Sequence, residues 1–215
     1  MHFSLTKAFV VIALASSLAS AANFSFTGSF AADDSVQLFS FTLASTDTVT
    51  LRTYSYAGGI NGAGIVVPRG GFDPILSLFD NAGVLINEND DGFSNVPTDP
   101  VTGQQFDSYL FTKLAAGTYT VSITQFDNFA NGPSLSNGFI RTGSSNFTSE
   151  FVCSNGRFCD ITGDNRNPNW AFDVQGVTSA TVVSTPEPGM AALVGVGMLL
   201  MVVRRCRIWD VFSRQ

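Results

Sequence analysis

Phe72-Asp73-Pro74-Ile75-Leu76-Ser77-Leu78-Phe79-Asp80-Asn81-Ala82-Gly83-Val84-Leu85-Ile86 is the stretch on which the fold assignment turns. Leu76 and Leu78 stand two apart before the turn cluster Asp80-Asn81-Ala82-Gly83, and Val84-Leu85-Ile86 follows it. Alternation broken by such a turn reads as a β-hairpin. Asp73 before Pro74 favours an extended backbone, and Gly83 suits a turn position with positive φ. The same period of two continues outward. Phe24, Phe26 and Phe30 are evenly spaced, Phe39, Phe41 and Leu43 alternate with Ser40 and Thr42, and Val49, Leu51 and Thr53 alternate with Thr50 and Arg52. Tyr109 and Phe111 open another strand. Tyr119, Val121 and Ile123 share a face of residues 118–126, Trp170, Phe172 and Val174 form a further strand, and residues 177–183 a last one. About nine strands separated by turn signals, with few helix signals, predict an all-β antiparallel β-sandwich of jelly-roll-like or Greek-key type. Four long segments read as loops: 57–71, 87–105, 128–149 and 155–169.

Composition excludes several classes. Of 215 residues, 45% are hydrophobic and 13% charged, which is a folded rather than a disordered composition. Between residues 22 and 185, Arg52, Arg69, Lys113, Arg141, Arg157 and Arg166 face fifteen acids, so this region repels phosphate backbones and no nucleic acid is expected as a partner. The single histidine is His2. A chain without a second histidine has no Ser-His or Cys-His nucleophile once its leader is removed, and no imidazole metal ligand.

Both ends read as addresses. Lys7, the apolar run at 8–18 (AFVVIALASSL) and Ala19-Ser20-Ala21 have the three-part layout of a secretory signal over residues 1–22, with the mature chain starting near Asn23. At the other end, residues 189–203 (GMAALVGVGMLLMVV) carry no charge and run into Arg204, Arg205 and Arg207. Fifteen residues reach about 22 Å, and snorkelling arginines extend that toward a bilayer core of about 30 Å. The sequence therefore predicts a C-terminal transmembrane helix within the tail 185–215, with its basic end cytoplasmic. Residues 23–184 are left as the ectodomain.

Pro186-Glu187-Pro188 immediately precedes the apolar span. The order Pro-Glu-Pro, apolar span, arginine cluster resembles the PEP-CTERM sorting signal of Gram-negative bacteria. That resemblance implies a transient inner-membrane anchor, an exosortase-type processing protease as partner, and a final place at the cell surface or in the extracellular matrix. A second resemblance covers about residues 28–125. Asp33-Asp34 before Phe39 and Phe41, the segment from Phe72 to Gly83, Asn89-Asp90-Asp91, and Leu114-Ala115-Ala116-Gly117-Thr118-Tyr119-Thr120-Val121 follow in the order seen in bacterial pre-peptidase C-terminal domains. This likeness implies a β-sandwich accessory domain of a secreted protein. Residues 128–169 match nothing in that pattern and read as an insertion or a family-specific extension.

Candidate chemistry is sparse. Cys153 and Cys159 (CSNGRFC) read as a local disulfide in an exported chain, with Asn155-Gly156 turning inside the ring. Asp80, Asn87, Asn89, Asp90 and Asp91 offer the oxygen ligands that calcium takes. Asn87-x-Asn89-x-Asp91-Gly92 matches the start of an EF-hand loop, but the twelfth position is Thr98, not Glu. Two readings stay open for this group, a solvated acidic loop and a calcium site, with Asp33, Asp34 and Asp73 joining only if the fold brings them close. Tyr54, Tyr56 and Trp170 read as core aromatics or as sugar-stacking groups. The function expected is that of a non-catalytic surface or matrix protein. A calcium-dependent polysaccharide- or protein-binding module and a small carboxylate hydrolase are the alternatives.

Overall fold

The computed structural model describes residues 21–184. Residues 1–20 of the expected secretory signal at 1–22, the Pro186-Glu187-Pro188 motif, the apolar span 189–203, and Arg204 and Arg205 lie outside the described residues. Within them no helix is long and apolar enough to cross a membrane.

The eleven strands are β1 (Ala22–Ser29), β2 (Gln37–Leu43), β3 (Asp47–Thr53), β4 (Gly59–Ile60), β5 (Val66–Val67), β6 (Pro74–Phe79), β7 (Leu85–Asn89), β8 (Tyr109–Leu114), β9 (Gly117–Gln125), β10 (Asn169–Val177) and β11 (Ser179–Val183). They form a four-stranded sheet in the order β1-β10-β3-β8 and a five-stranded sheet in the order β11-β2-β9-β6-β7; β4 and β5 make a small separate hairpin. Every strand pair is antiparallel. The molecule is an antiparallel β-sandwich.

Register explains the core. In the first sheet Phe24, Val174, Leu51 and Leu110 lie in one row across four strands. In the second, Phe39, Val121 and Leu78 do the same. These rows belong to one apolar cluster, with Phe39 4.9 Å from Phe172 and 5.6 Å from Trp170, centroid to centroid, across the sandwich. Each such ring contributes about 2–3 kcal/mol on burial. Gly28 sits opposite Trp170, and a Cβ there would collide with the indole, so this position admits only glycine without displacing the ring.

Three expectations are corrected. Residues 87–89 belong to strand β7 rather than to a loop, because Asn87 and Asn89 pair with Leu78 and Leu76. The loop at 57–71 contains the β4–β5 hairpin. The last strand, expected over residues 177–183, starts at Ser179, because Val177 ends β10 and the chain breaks at Thr178; the two expected strands enter different sheets.

The segment 128–169, expected as an insertion or extension, has a structural place. All six residues of β6 are buried, so both of its faces are covered. Leu76 and Leu78 belong to the sandwich core, while Ile75 and Phe79 are buried outside that cluster. The Ala130 amide donates to Glu88, which also accepts from Ser77, and this holds the insertion against the outer face. Leu85 N donates to Pro133 O and Leu135 N to Gly83 O, so the insertion also occupies polar groups along the open edge of the β6–β7 hairpin, where an unprotected strand would invite pairing.

Candidate functional site

Buried aspartates are the dominant chemistry of this domain. Asp33, Asp73, Asp99, Asp107, Asp160 and Asp173 are each at most 2% exposed. Burying a carboxylate is costly unless donors replace its water. Five of the six have such donors, and most of those donors belong to loops.

Asp33 accepts from the Thr148 amide and hydroxyl and from the Phe158 amide, fastening both ends of residues 148–158. Asp107 accepts from the Thr53 hydroxyl (2.9 Å) and from the amides of Tyr56 (3.1 Å) and Ala57 (2.8 Å). Burial raises its pKa, and the Ala57 and Tyr56 amides and the Thr53 hydroxyl oppose that rise. Asp173 accepts from Ser25, the Gly62 amide and Gln175. Asp160 accepts from the Tyr56 hydroxyl at 2.5 Å and from the Thr162 and Asp164 amides.

Asp99 is the centre of a larger network. It receives both nitrogens of the Arg69 fork, the Val101 and Thr102 amides, and Arg166. Burial pushes its carboxyl up, but the Arg69 hydrogen bonds, the two amides and the Arg166 charge outweigh burial and hold it below the usual carboxylate value. Arg166 also donates to Gly71 O and Tyr56 O, and its guanidinium lies 3.5 Å from the centroid of the Tyr56 ring. Residues 99, 160 and 166 carry no local motif that announces this arrangement.

Asp73 is the exception. Its Oδ1 is buried and has no hydrogen-bond partner. Burial, and then the charges of Asp91 and Asp90, raise its pKa well above the ordinary carboxylate value. Asp91 is pushed up to about 6, by partial burial first and by Asp90 second. The segments carrying these three acids meet at Ser108, whose hydroxyl oxygen lies against Pro74 O, at 3.0 Å from Asn89 O and at 2.9 Å from Asp90 O.

The five residues expected to gather around calcium are only partly brought together. Asp80 caps the β6–β7 turn, accepting from the Ala82 and Val84 amides at 2.9 Å each. Asn89 pairs with Leu76 near the other end of β6, so about four strand residues, or roughly 13 Å, separate it from Asp80. Asn87 accepts from the Glu88 amide, and Asn89 is committed to Tyr109 N and Asp91 O. Asp90 and Asp91 remain, and Asp73 joins them. Among the described residues no three Asp, Glu, Cys or His side chains already form a ready metal-ligand group.

Cys153 and Cys159 are disulfide-bonded, with Cα atoms 5.5 Å apart. Tyr54, Tyr56 and Trp170 are all buried, as core aromatics are. A cleft of about 480 Å³ opens between β1, β10 and the segment at 67–69, with Thr27, Ser29, Ser55, Asn167 and Asn169 in its lining. Val67, Pro68 and Trp170 join the lining, which is more apolar than polar, and Arg69 brings its one charge.

No family model matches the chain, and no curated protein matches it. Among solved structures, the pre-peptidase C-terminal domain of a collagenase from Bacillus anthracis is similar at a TM-score of 0.32 and 10% identity, over 74% of this chain and 89% of that one.

Proposed function

We propose that this chain is an exported, non-catalytic protein of the cell surface or extracellular matrix, processed at its C-terminal sorting signal by an exosortase-type protease. The observation that carries the reading is the closed Cys153–Cys159 bridge, a bond that persists in oxidising compartments and is rare in the cytosol. The use of carboxylates supports it. A glycosidase needs two opposed carboxyl groups in a cleft open to substrate. Here five of the six buried aspartates are taken up in holding loops to the sandwich. The alternative is a calcium-dependent polysaccharide- or protein-binding module, favoured by the cleft, whose mostly apolar lining combines Trp170 with Asn167 and Asn169.

The test is the intact mass of protein extracted from the surface of its native host, with non-reduced peptide mapping. The expected chain begins near Asn23, ends near Pro188 and carries the linked peptide. A chain retained inside the cell with both thiols free would refute export. A surface chain still ending at Gln215 would refute processing.

A further inference from the structure

The two outer faces of the sandwich differ. On the second sheet β6 is buried on both sides. On the first sheet the β4–β5 hairpin reaches one end, where the Gly62 amide meets Asp173, and the rest is open: Asn23, Phe111 and Lys113 are exposed, and Thr48, Thr50 and Gln175 half-buried. Register fixes what this face presents. Val49, Leu51, Leu110, Leu114 and Val174 belong to the core, so the alternate residues of the same strands point the other way. Asn23, Gln175, Thr50 and Phe111 form one row across all four strands, with the pair Arg52 and Tyr109 on one side of it and the pair Thr48 and Lys113 on the other.

The cations are distributed unevenly. Arg69, Arg141 and Arg166 are ion-paired. Arg52, Lys113 and Arg157 have no carboxylate within ion-pair distance among the described residues, and two of these three stand on the open face. Arg52 is held in place there: its guanidinium lies 4.7 Å from the centroid of the Tyr54 ring, and its Nε is buried without an acceptor. The one carboxylate in these rows, Asp173, is 0% exposed and already accepts from Ser25, Gly62 and Gln175. Asp47 alternates to the core side of β3 and accepts from the Thr48 amide. A domain of six cations and fifteen acids therefore shows, on one face, two cations and no accessible acid.

We propose that this open face binds an acidic polysaccharide, with Arg52 and Lys113 pairing with its carboxylates and Phe111 packing against the C–H face of a sugar ring. The inference rests on the binding-module alternative above and narrows it to a ligand class and a surface. Phe111 is 65% exposed at the end of its row, so its ring is available to a ligand. The side chains of Asn23, Thr48, Thr50 and Tyr109 make no hydrogen bond among the described residues, and neutral amides and hydroxyls of this kind pair with sugar hydroxyls. A flat face of this composition suits a polymer lying across the strands better than a peptide, which needs pockets for its alternate side chains. Lys113 pairs with Thr48, and Tyr109 with Arg52, so the two cations stand four residues apart in register, roughly 13 Å along the strands. That spacing suits a sparsely charged chain, which also limits repulsion by the fifteen acids of the domain. The face supplies its own cations, so binding needs no calcium.

The experiment is affinity electrophoresis of the exported mature protein at low salt in EDTA, through gels containing hyaluronate, unsubstituted dextran or poly-L-glutamate. Hyaluronate is expected to retard the wild type, and the other two polymers to do so at least about tenfold more weakly. Arg52→Gln should weaken hyaluronate binding about tenfold, since a half-buried charged donor is lost. Lys113→Gln should weaken it about threefold, as befits an exposed charge, and it keeps the test valid should Arg52→Gln fail to fold. Phe111→Ala should cost about fivefold. Arg157→Gln, the unpaired cation off this face, should stay within about twofold. Retention that survives the double variant Arg52→Gln with Lys113→Gln would overturn the proposal. If Asn169→Ala in the cleft then abolishes it, or if retention appears only when calcium chloride replaces EDTA, the binding-module reading stands and the open face is not its site. Equal retention by poly-L-glutamate would make the partner an acidic peptide, and equal retention by dextran would remove the role of charge; either overturns the ligand class. A wild type that none of the three polymers retards, with calcium or without, would overturn both this proposal and the polysaccharide-binding alternative, and would leave the export reading untouched.

Discussion

Replacing Arg166 by Met removes the most enclosed cation of the described domain, and the structure sets the size of the effect. The Arg166 side chain is 2% exposed and Asp99 0%. Removing one partner of a buried ion pair costs about 3–5 kcal/mol. The loss here is moderated, because Asp99 keeps the two-pronged Arg69 contact and two backbone amides. It is aggravated because the carbonyls of Gly71 and Tyr56 lose charged donors, at about 1–3 kcal/mol for each group left unsatisfied. Met retains much of the packing against the Tyr56 ring. The net expectation is about 3 kcal/mol, or a fall of about 6–12 °C in melting temperature for a domain of this size. Arg69→Met serves as the control. Its side chain is 36% exposed, and Asp99 would keep Arg166, so the loss should be about 0.5–1 kcal/mol. Urea and thermal denaturation of both variants provide the measurement. If Arg166→Met costs no more than Arg69→Met, the network does not carry the load assigned to it.

Acid should weaken this same network. The folded pKa of Asp99 is depressed below the ordinary value of 3.8, so its stabilisation is present above that value and is lost as pH falls through the folded pKa; the gap between wild type and Arg69→Met should therefore narrow below about pH 4 on melting curves. Asp33→Ala removes the acceptor for the Thr148 and Phe158 amides, so hydrogen exchange should rise across residues 147–159 while β2, β6 and β9 stay protected; a uniform rise would show that Asp33 supports the whole sandwich instead. Cys153→Ser opens a short ring, whose entropic contribution lies below the ~3 kcal/mol of a 15-residue loop, so limited proteolysis should cut between residues 150 and 165 without a collapse in melting temperature.

Strands were legible in the sequence because their cause is local. Alternation at Phe39-Phe41-Leu43 or Tyr119-Val121-Ile123 places every second side chain on one face, and a buried face then selects the extended backbone and its register. The hairpin at Asp80–Gly83 was legible for the same reason: Asp80 caps its own turn, and Gly83 takes φ of 78°. The Cys153–Cys159 pair needed only six residues of separation and a turn between them. The buried acids were not legible, because what distinguishes them is distant in the chain. Asp33 finds its donors about 115–125 residues away, Asp107 about 50, and Asp173 takes two of its three, Ser25 and Gly62, from more than 100 residues away. Nothing beside Asp90 or Asp91 announces that Asp73 shares their corner, since that depends on β6, β7 and β8 ending together around Ser108. Sequence alone determined that this chain makes a sandwich, that a disulfide closes one loop and that acids crowd the β7 end. Tertiary structure decided which buried carboxylates have donors and that Asp73 Oδ1 has none, because a carboxylate's surroundings are set by chain segments far from it in sequence.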